Sequence, residues 1–433
     1  MTETNPGDDE VDLGLDWYAS KTAGIGGELK RRPQDFRVTE IEEFSYSADD
    51  EDEGRKHAVV RVKLTNYETH EFARDLSNAL GISRKRVSWA GTKDRRAVTT
   101  QLMTVAGVDE ERLAGVDLHD AEIEYVGRSH HNIHLGALRG NKFDVKVRDA
   151  EHPENAESIT REIDEFGGVP NLFGSQRFGS HRPITHKVGE RILEDDYEGA
   201  VMEYLTATFD EEPEDTREAR RRLADERDYN DALDYFPERL GYERALLNEL
   251  VQTNDYSEAL DALPENLRRL FVNAVQSRIF NIILRRRHDA GLRFDEAYEG
   301  DVVCFTDGRI DGVPLPDTDS LQRVTESNVD TVNRHVERGR AFVTAPLVGY
   351  NTQLSDGEQG EIERAVLDTH GIEPGDFERD DEYSSAGTRR AVLVHPDVEY
   401  ETDGDTARFE FVLPKGSYAT VVLREYLKDG ADG

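Results

Sequence analysis

The sequence predicts an α+β fold, in which a mixed, mainly antiparallel sheet with helices is interrupted by a mainly helical α+β insertion. Strand and helix patterns alternate in the first part without regular βαβ repeats, helical patterns then dominate, and a strand pattern returns near the end. We therefore expect residues 20–167 and 396–433 to form one discontinuous domain. Residues 168–395 are expected to form an inserted domain, and residues 1–19 an acidic, disordered tail.

The first half of the predicted sheet is built from short apolar runs. HAVVRVKL, residues 57–64, indicates a strand, and residues 68–80 indicate a helix because their apolar side chains recur on one face. VSWAG, residues 87–91, and VTTQLMTVA, residues 98–106, predict two further strands. Asp94 is then expected on the loop between them, where a scaffold can present a reactive side chain.

The remaining elements follow the same rules. ENLRRLFVNAVQSRIFNIILRRR, residues 265–287, predicts a long helix, and ARFEFVL, residues 407–413, predicts a strand. Ser417 is expected to cap a helix over residues 418–427. The basic cluster at residues 285–288 is explained equally well by the dipole of a helix C-terminus or by RNA contact.

The net charge of the chain predicts the salt concentration in which it works. The 433 residues carry 91 acidic and 54 basic side chains, a formal net charge of -37, and only 11 of the basic residues are lysines. An acidic, lysine-poor surface suits a cytoplasm at molar salt, where the Debye length falls to about 3 Å. We therefore expect a halophilic protein in which local departures from acidity carry the functional information.

Three segments of this acidic chain are locally basic. They lie at residues 84–96, 128–148 and 177–187, and each contains at most one acidic residue. Local positive potential of this kind favours phosphate binding. The RNA-binding residues that we predict from these clusters are Arg84, Lys85, Arg86, Lys93, Arg95, Arg96, Arg139, Lys142 and Arg177.

Several classes of protein are disfavoured. Cys304 is the single cysteine, so an intrachain disulfide and a cysteine-based zinc site are excluded. The acidic start differs from a signal peptide, and no apolar run approaches membrane-spanning length, so we expect a cytoplasmic protein without a membrane partner. His130, His131 and His134 are too few for a structural zinc site, and no phosphate-binding G-x-x-x-x-G-K-[ST] loop is present.

Five segments, in order, carry a family resemblance. They are LKRRPQDFRVTE at residues 29–40, WAGTKDRRAVTTQ at 89–101, LGALRGNKF at 135–143, GVPNLFGSQRFG at 168–179 and LPKGSYATVVLRE at 413–425. Together they resemble the motifs of the TruD family of tRNA pseudouridine synthases. The resemblance implies a pseudouridine-synthase-like catalytic domain with the inserted domain named after the family.

The resemblance also implies an activity, which is isomerisation of a tRNA uridine, typically at position 13, to pseudouridine. No metal, cofactor or obligatory protein partner is expected, and tRNA is the expected partner. An ionised carboxylate suits such a reaction, and the resemblance assigns that part to Asp94. Whether Asp94 attacks carbon or removes a proton from the ribose stays open at this point.

The uracil must leave the RNA stack and be held in a pocket. The resemblance implies that Phe143 faces the base, that Asn141 binds its polar edge, and that Phe36 forms part of the pocket wall. Lys30 is expected in the active site or on the RNA. Lys93, Arg95 and Arg96 are candidates for the cation that keeps Asp94 ionised, and because adjacent side chains need not point the same way, Lys30 could be that cation instead. The alternative function is that of a catalytically silent RNA-binding protein or chaperone, for which a carboxylate beside phosphate has no use.

Overall fold

The computed structural model describes residues 8–48, 56–93, 95–179, 182–379 and 382–428, and all structural statements below concern these residues. Their strands are β1 Phe36–Glu42, β2 His57–Thr65, β3 Val87–Trp89, β4 Val98–Ala106, β5 Ala121–Ser129, β6 Leu138–Val147, β7 Val169–Pro170, β8 Val302–Ile310, β9 Val313–Arg323, β10 Ala341–Leu347, β11 Thr388–Ala391, β12 Leu393–Val394, β13 Glu399–Asp403 and β14 Thr406–Pro414. Their helices are α1 Asp8–Asp12, α2 Thr69–Ala79, α3 Glu110–Ala114, α4 Asn155–Phe166, α5 Thr185–Leu193, α6 Tyr197–Thr206, α7 Glu214–Glu226, α8 Tyr229–Tyr235, α9 Gly241–Thr253, α10 Tyr256–Asp261, α11 Glu265–Asp289, α12 Val329–Val336, α13 Gly357–Thr369 and α14 Ala419–Leu427.

An eight-stranded sheet forms the centre of the fold. Its strands follow the order β13, β14, β6, β1, β4, β2, β5, and β3 also pairs with β4. Neighbouring strands are antiparallel except for β1 and β4, which run parallel. The predicted mixed, mainly antiparallel sheet and the α+β fold class are therefore confirmed.

Two helices pack on the same face of this sheet and leave its middle strands between them. On one side, Phe72 of α2 packs with Val60 and Val62 of β2. On the other side, the ring of Tyr426 in α14 lies 4.7 Å from that of Phe409 in β14, centroid to centroid. The strand pairings place these side chains on one face, together with alternate residues of β1, β4 and β6. The face between α2 and α14 is the place where a site can form.

The region between α4 and β13 has its own secondary structure. Nine helices, α5 to α13, accompany a four-stranded sheet of order β11, β10, β8, β9 in the described part of this region. A two-stranded ribbon joins its ends, because Val169 pairs with Val394 and Pro170 with Leu393. This ribbon lies at the expected limits of the inserted domain, residues 168 and 395. The division into domains nevertheless stays a prediction.

The expected disordered tail needs correction. Residues 1–7 lie outside the described residues, but α1 and the segment after it are packed against the rest of the chain. Leu13, Leu15 and Trp17 are buried, and Asp12 Oδ1 accepts a 2.6 Å hydrogen bond from Arg278. Apolar side chains in an otherwise acidic start are the reason that residues 8–19 dock on the fold.

Two predictions at helix ends were also tested. Ser417 is not the cap of α14, because the helix starts one residue later, after Tyr418, and the Ser417 hydroxyl donates to Asn171 Oδ1 at 3.1 Å. The basic cluster that ends α11 is used in packing. Arg287 is buried and pairs with Asp301, and the His288 ring stacks on Trp17 at 4.6 Å.

Candidate active site

The loop that follows β3 begins beside the end of β1. Both strands lie along the same edge of β4, since β1 pairs with residues 98–100 and β3 with residues 103–105. The loop is anchored at two points. Gln101 Nε2 donates to the carbonyl oxygen of Gly91 at 3.3 Å, and the backbone N–H of Lys93 donates to Thr69 Oγ1 at 3.0 Å. The path of the chain toward Asp94 is thus fixed by β4 and α2.

A buried ion pair joins this loop to β1. Lys93 Nζ lies 2.5 Å from Glu40 Oε2, and the two residues are only 8% and 3% exposed. Burial raises the pKa of the Glu40 carboxyl, an effect that the charge of Lys93 opposes. Gly91 leaves room for the pair, because a Cβ at this position would lie 2.9 Å from Lys93 Nζ and 3.2 Å from Glu40 Oε2.

The pair changes the expected role of Lys93. The sequence placed this lysine among the phosphate-binding residues, but it is buried and its charge is engaged by Glu40. Asp94 itself lies outside the described residues. The exposed cations next to it in sequence are Arg95 and Arg96. That Arg95, Arg96 or Lys30 keeps Asp94 ionised stays a prediction.

Three aromatic rings lie together on the face between α2 and α14. The ring of Phe143 in β6 stacks on that of Phe411 in β14 at 5.2 Å and meets Phe36 of β1 edge-on at 6.2 Å. Phe143 is 7% exposed, and Phe411 covers one side of it. That Phe143 faces the base stays a prediction. Lys30 Nζ lies 4.8 Å from the Phe36 ring, and the φ of Lys30 is 54°, a strained value for a lysine.

Asn141 stands directly across from Glu40 in the β1–β6 pairing, so their side chains share a face. The next residue on that face is Phe143. Asn141 Oδ1 is buried, yet it finds no hydrogen-bond partner among the described residues. A buried acceptor without a partner is unfavourable by about 1–3 kcal/mol, and a ligand donor would relieve that cost. The site thus holds an apolar cluster with an open acceptor at its border.

The predicted RNA-binding residues differ in exposure. Those with exposed side chains are Lys85, Arg95, Arg96 and Lys142. Those that are half-buried and hydrogen-bonded to the protein are Arg84, Arg86, Arg139 and Arg177, which donate to Val87 O, Ala106 O, Asp307 O and Ser277 Oγ. Burial also lowers the pKa of Arg84 and Arg177. Solvent therefore reaches the exposed four more readily than the other residues, and their binding to phosphate stays a prediction.

The structure adds two residues that the sequence analysis did not single out. Glu40 falls on the apolar face of an alternating strand, after Phe36 and Val38. A carboxylate on such a face needs a buried partner, so its position in the sequence could have indicated a functional residue. Phe411 gave no such signal. It is 268 residues from Phe143, and the two strands meet only in the folded sheet.

Comparison with known proteins identifies the family. The family model described as tRNA pseudouridine synthase D (TruD) matches residues 12–426. The chain belongs to the tRNA pseudouridine synthase D family. Members of this family are isomerases that act on tRNA, and the two haloarchaeal relatives below agree with the halophilic composition.

The chain is similar to relatives and to a solved structure over nearly its whole length. It is 48% identical over 434 residues to a protein of Halobacterium salinarum named probable tRNA pseudouridine synthase D, covering 99% of each chain. It is 51% identical over 430 residues to a protein of the same name from Natronomonas pharaonis, covering 97% of each. A crystal structure of a tRNA pseudouridine synthase D from Methanosarcina mazei superposes with a TM-score of 0.83 at 42% identity, covering 98% of this chain and 99% of that one.

Two features are absent from the described residues. No described helix is both long enough and apolar enough to cross a membrane. No group of three or more histidine, cysteine, aspartate or glutamate side chains in the described residues is arranged to hold a metal ion.

Proposed function

We propose that this chain converts uridine 13 of tRNA to pseudouridine, with Asp94 as the reactive carboxylate. The reaction breaks the bond between N1 of uracil and C1′ of ribose, and a new bond forms between C5 and C1′. The proton on C5 is lost and N1 gains one, so no electrons enter or leave. Asp94 either attacks electron-poor carbon or takes a proton from the ribose, and both routes need it ionised.

The observation that carries this proposal is the open acceptor of Asn141 beside the aromatic cluster of Phe36, Phe143 and Phe411. Uracil has an N–H flanked by two carbonyl oxygens. The Asn141 carbonyl would accept from that N–H while its amide donates to a neighbouring carbonyl. The edge of the aromatic cluster supplies apolar contact of the kind that holds extruded bases.

We propose that Glu40 and Lys93 position the reactive loop. Their ion pair fixes Lys93, which precedes Asp94 directly in sequence, against the end of β1. Lys30 lies over Phe36 at the border of the same cluster and serves as a further cation for the carboxylate or for RNA phosphate. Exposed Lys85, Arg95, Arg96 and Lys142 are proposed to bind the RNA backbone.

The reaction is proposed to take place in the cytoplasm, and the chain is proposed to work as two domains. The ribbon of β7 and β12 supports the division, because it pairs the two ends of residues 168–395 with each other. An inserted domain of this kind can add a second surface that contacts the tRNA. Binding at molar salt must depend on shape and stacking more than on counter-ion release, which salt weakens.

The direct test is pseudouridine mapping on an unmodified tRNA transcript in molar KCl. Wild type is expected to place pseudouridine at position 13, and a transcript with cytidine 13 is expected to receive none. Asp94→Asn keeps the size of the side chain but cannot carry its charge, so it is expected to bind the transcript and to make no pseudouridine. Equal activity of Asp94→Asn and wild type would refute the catalytic role, and absence of product with wild type would refute the proposed function.

A further inference from the structure

The loop between β5 and β6 presents an apolar side chain to solvent. Leu135 at its turn is 73% exposed, more than any other large apolar side chain of the described residues. The loop itself is well anchored. Ile133 and Ala137 on either side of the turn are buried, and the backbone N–H of Ile133 donates to Thr104 Oγ1 at 3.0 Å. The anchored loop therefore keeps the Leu135 side chain exposed to solvent, and Leu135 does not lie in a poorly packed segment.

This turn touches the stretch that leads to Asp94. The backbone N–H of Gly136 donates to the carbonyl oxygen of Ala90 at 2.8 Å. Ala90 precedes Asp94 by four residues, so covalent geometry limits the distance between their Cα atoms to about 14 Å. Gly136 has a φ of 89°, a left-handed conformation that glycine adopts without strain, and this conformation forms the turn.

The surroundings of Leu135 favour a polyanion. Residues 128–143 contain no carboxylate, although the chain carries 91 acidic side chains in 433 residues. His130, His131 and His134 on the same loop are exposed, and so is Lys142 on the strand that follows. A single exposed leucine is ordinary on a protein surface. An exposed leucine between cationic and neutral side chains, at the border of a site that must extract a base from RNA, requires an explanation.

We infer that Leu135 is a wedge that enters the base stack of the tRNA at the place vacated by the target uridine. This inference rests on the proposed function. Extruding a base costs a few kcal/mol, and apolar side chains inserted between bases are a known way to offset that cost. A leucine forms no hydrogen bonds with base edges, so it fills the gap without selecting the neighbouring bases. Choice of the uridine is left to the pocket around Asn141.

The test compares wild type with Leu135→Ala on two substrates. The first is the folded tRNA transcript, and the second is a short single-stranded RNA in which the target uridine has abasic neighbours and is already unstacked. Leu135→Ala is expected to slow single-turnover pseudouridine formation on folded tRNA by about tenfold, since the smaller side chain offsets less of the cost of unstacking the base. Its Kd for tRNA should change less than the rate, and its rate on the unstacked RNA should equal that of wild type.

Matched variants isolate the wedge. Leu135→Met keeps an apolar side chain of similar size and is expected to act at the wild-type rate. Leu321→Ala removes another exposed leucine, on β9 in the insertion, and is also expected to leave the rate unchanged. A wild-type rate for Leu135→Ala on folded tRNA would overturn the inference. An equal loss on both substrates would overturn it as well, because the side chain would then serve a step other than extrusion.

A second readout separates this inference from the proposed function. A tRNA with 2-aminopurine next to the target uridine reports unstacking by its fluorescence, and in an Asp94→Asn background it does so without turnover. Asp94→Asn is expected to raise the fluorescence on binding, and Asp94→Asn with Leu135→Ala is expected to raise it less. Equal fluorescence from both would overturn the wedge. If wild type forms no pseudouridine on either RNA, the proposed function fails and the fluorescence alone decides about the wedge.

Discussion

Two buried ion pairs of this protein are built differently. In the region between α4 and β13, Glu363 accepts hydrogen bonds from Ser355 N, Ser355 Oγ, Gln359 and Arg389 at 2.7–3.1 Å, so its two oxygens are well supplied with donors. At the candidate active site, Glu40 has Lys93 as its one side-chain donor among the described residues, and Asn141 across the strand keeps an open acceptor. A saturated network stabilises a fold. An unsaturated one leaves polar capacity for a ligand.

The largest expected effect is a loss of folding stability when Glu363, in the region between α4 and β13, is substituted. Glu363→Gln removes the charge that faces Arg389, a buried guanidinium that cannot lose its proton. Breaking a buried pair from one side costs about 3–5 kcal/mol, so the free energy of unfolding in denaturant should fall by about that amount. The control is Glu226→Gln, which opens the exposed pair with Arg222 and should have a far smaller effect. Equal losses in the two variants would contradict the structural role of Glu363.

The second prediction concerns the same substitution, glutamate to glutamine, at Glu40 in the candidate active site. Glu40→Gln leaves Lys93 buried, but a lysine can become neutral when its partner is removed, which an arginine cannot. Burial also raises the pKa of the Glu40 carboxyl, so its charge adds little net stability, and we expect a much smaller fall in the free energy of unfolding than in Glu363→Gln. Denaturant unfolding at one salt concentration measures both. A larger loss for Glu40→Gln than for Glu363→Gln would show that the site pair is chiefly structural.

Two buried amides offer a third contrast. Gln359 accepts from Arg287 at 2.8 Å and donates to Glu363 at 3.1 Å, so Gln359→Leu should cost about 1–3 kcal/mol of stability. Asn141→Leu removes an oxygen that has no hydrogen-bond partner among the described residues, so the free energy of unfolding should not change. The same variant should lower kcat/KM for tRNA by about 10- to 100-fold, because the uracil loses its hydrogen bonds. Unchanged kcat/KM would remove Asn141 from the site.

The smallest effect is a pH dependence. The pKa of Glu40 is raised by burial, so between the ordinary glutamate value and the raised one the folded chain holds a proton that the unfolded chain has released. The contribution of this group to stability is therefore complete at low pH and is lost as the pH rises through the raised pKa. The difference in unfolding free energy between wild type and Glu40→Gln should decrease over that interval and then level off. A difference that increases with pH would mean that the pKa is lowered.

Local patterns of the sequence predicted four of the eight strands of the central sheet, β2, β3, β4 and β14, and the two helices α2 and α14. The expected strand at residues 98–106 is β4, the expected strand at 57–64 differs from β2 by one residue, and the helix expected at 68–80 is α2 less one residue at each end. These elements are defined by the period of their own apolar residues, and their bounds could be predicted because no distant contact alters them.

Non-local contacts could not be predicted in this way. The partner of Lys93 is 53 residues away in sequence, and the ring that covers Phe143 comes from a strand near the end of the chain. The family resemblance predicted that Phe36, Asn141 and Phe143 share a site, and the structure does bring them onto one face. It could not predict that Phe143 is covered or that Lys93 is buried, because both depend on which strands become neighbours.

The difference between the two buried ion pairs is tested most directly by comparing reaction rates. Single-turnover formation of pseudouridine should be measured for Glu40→Gln and Glu363→Gln, in molar KCl and at a temperature where both variants are folded. We expect Glu363→Gln to react at the wild-type rate and Glu40→Gln to be slower by at least about tenfold, since a small misplacement of a reactive group is sufficient for such a loss. Equal rates in the two variants would contradict the claim that the pair of Glu40 and Lys93 positions the reactive loop.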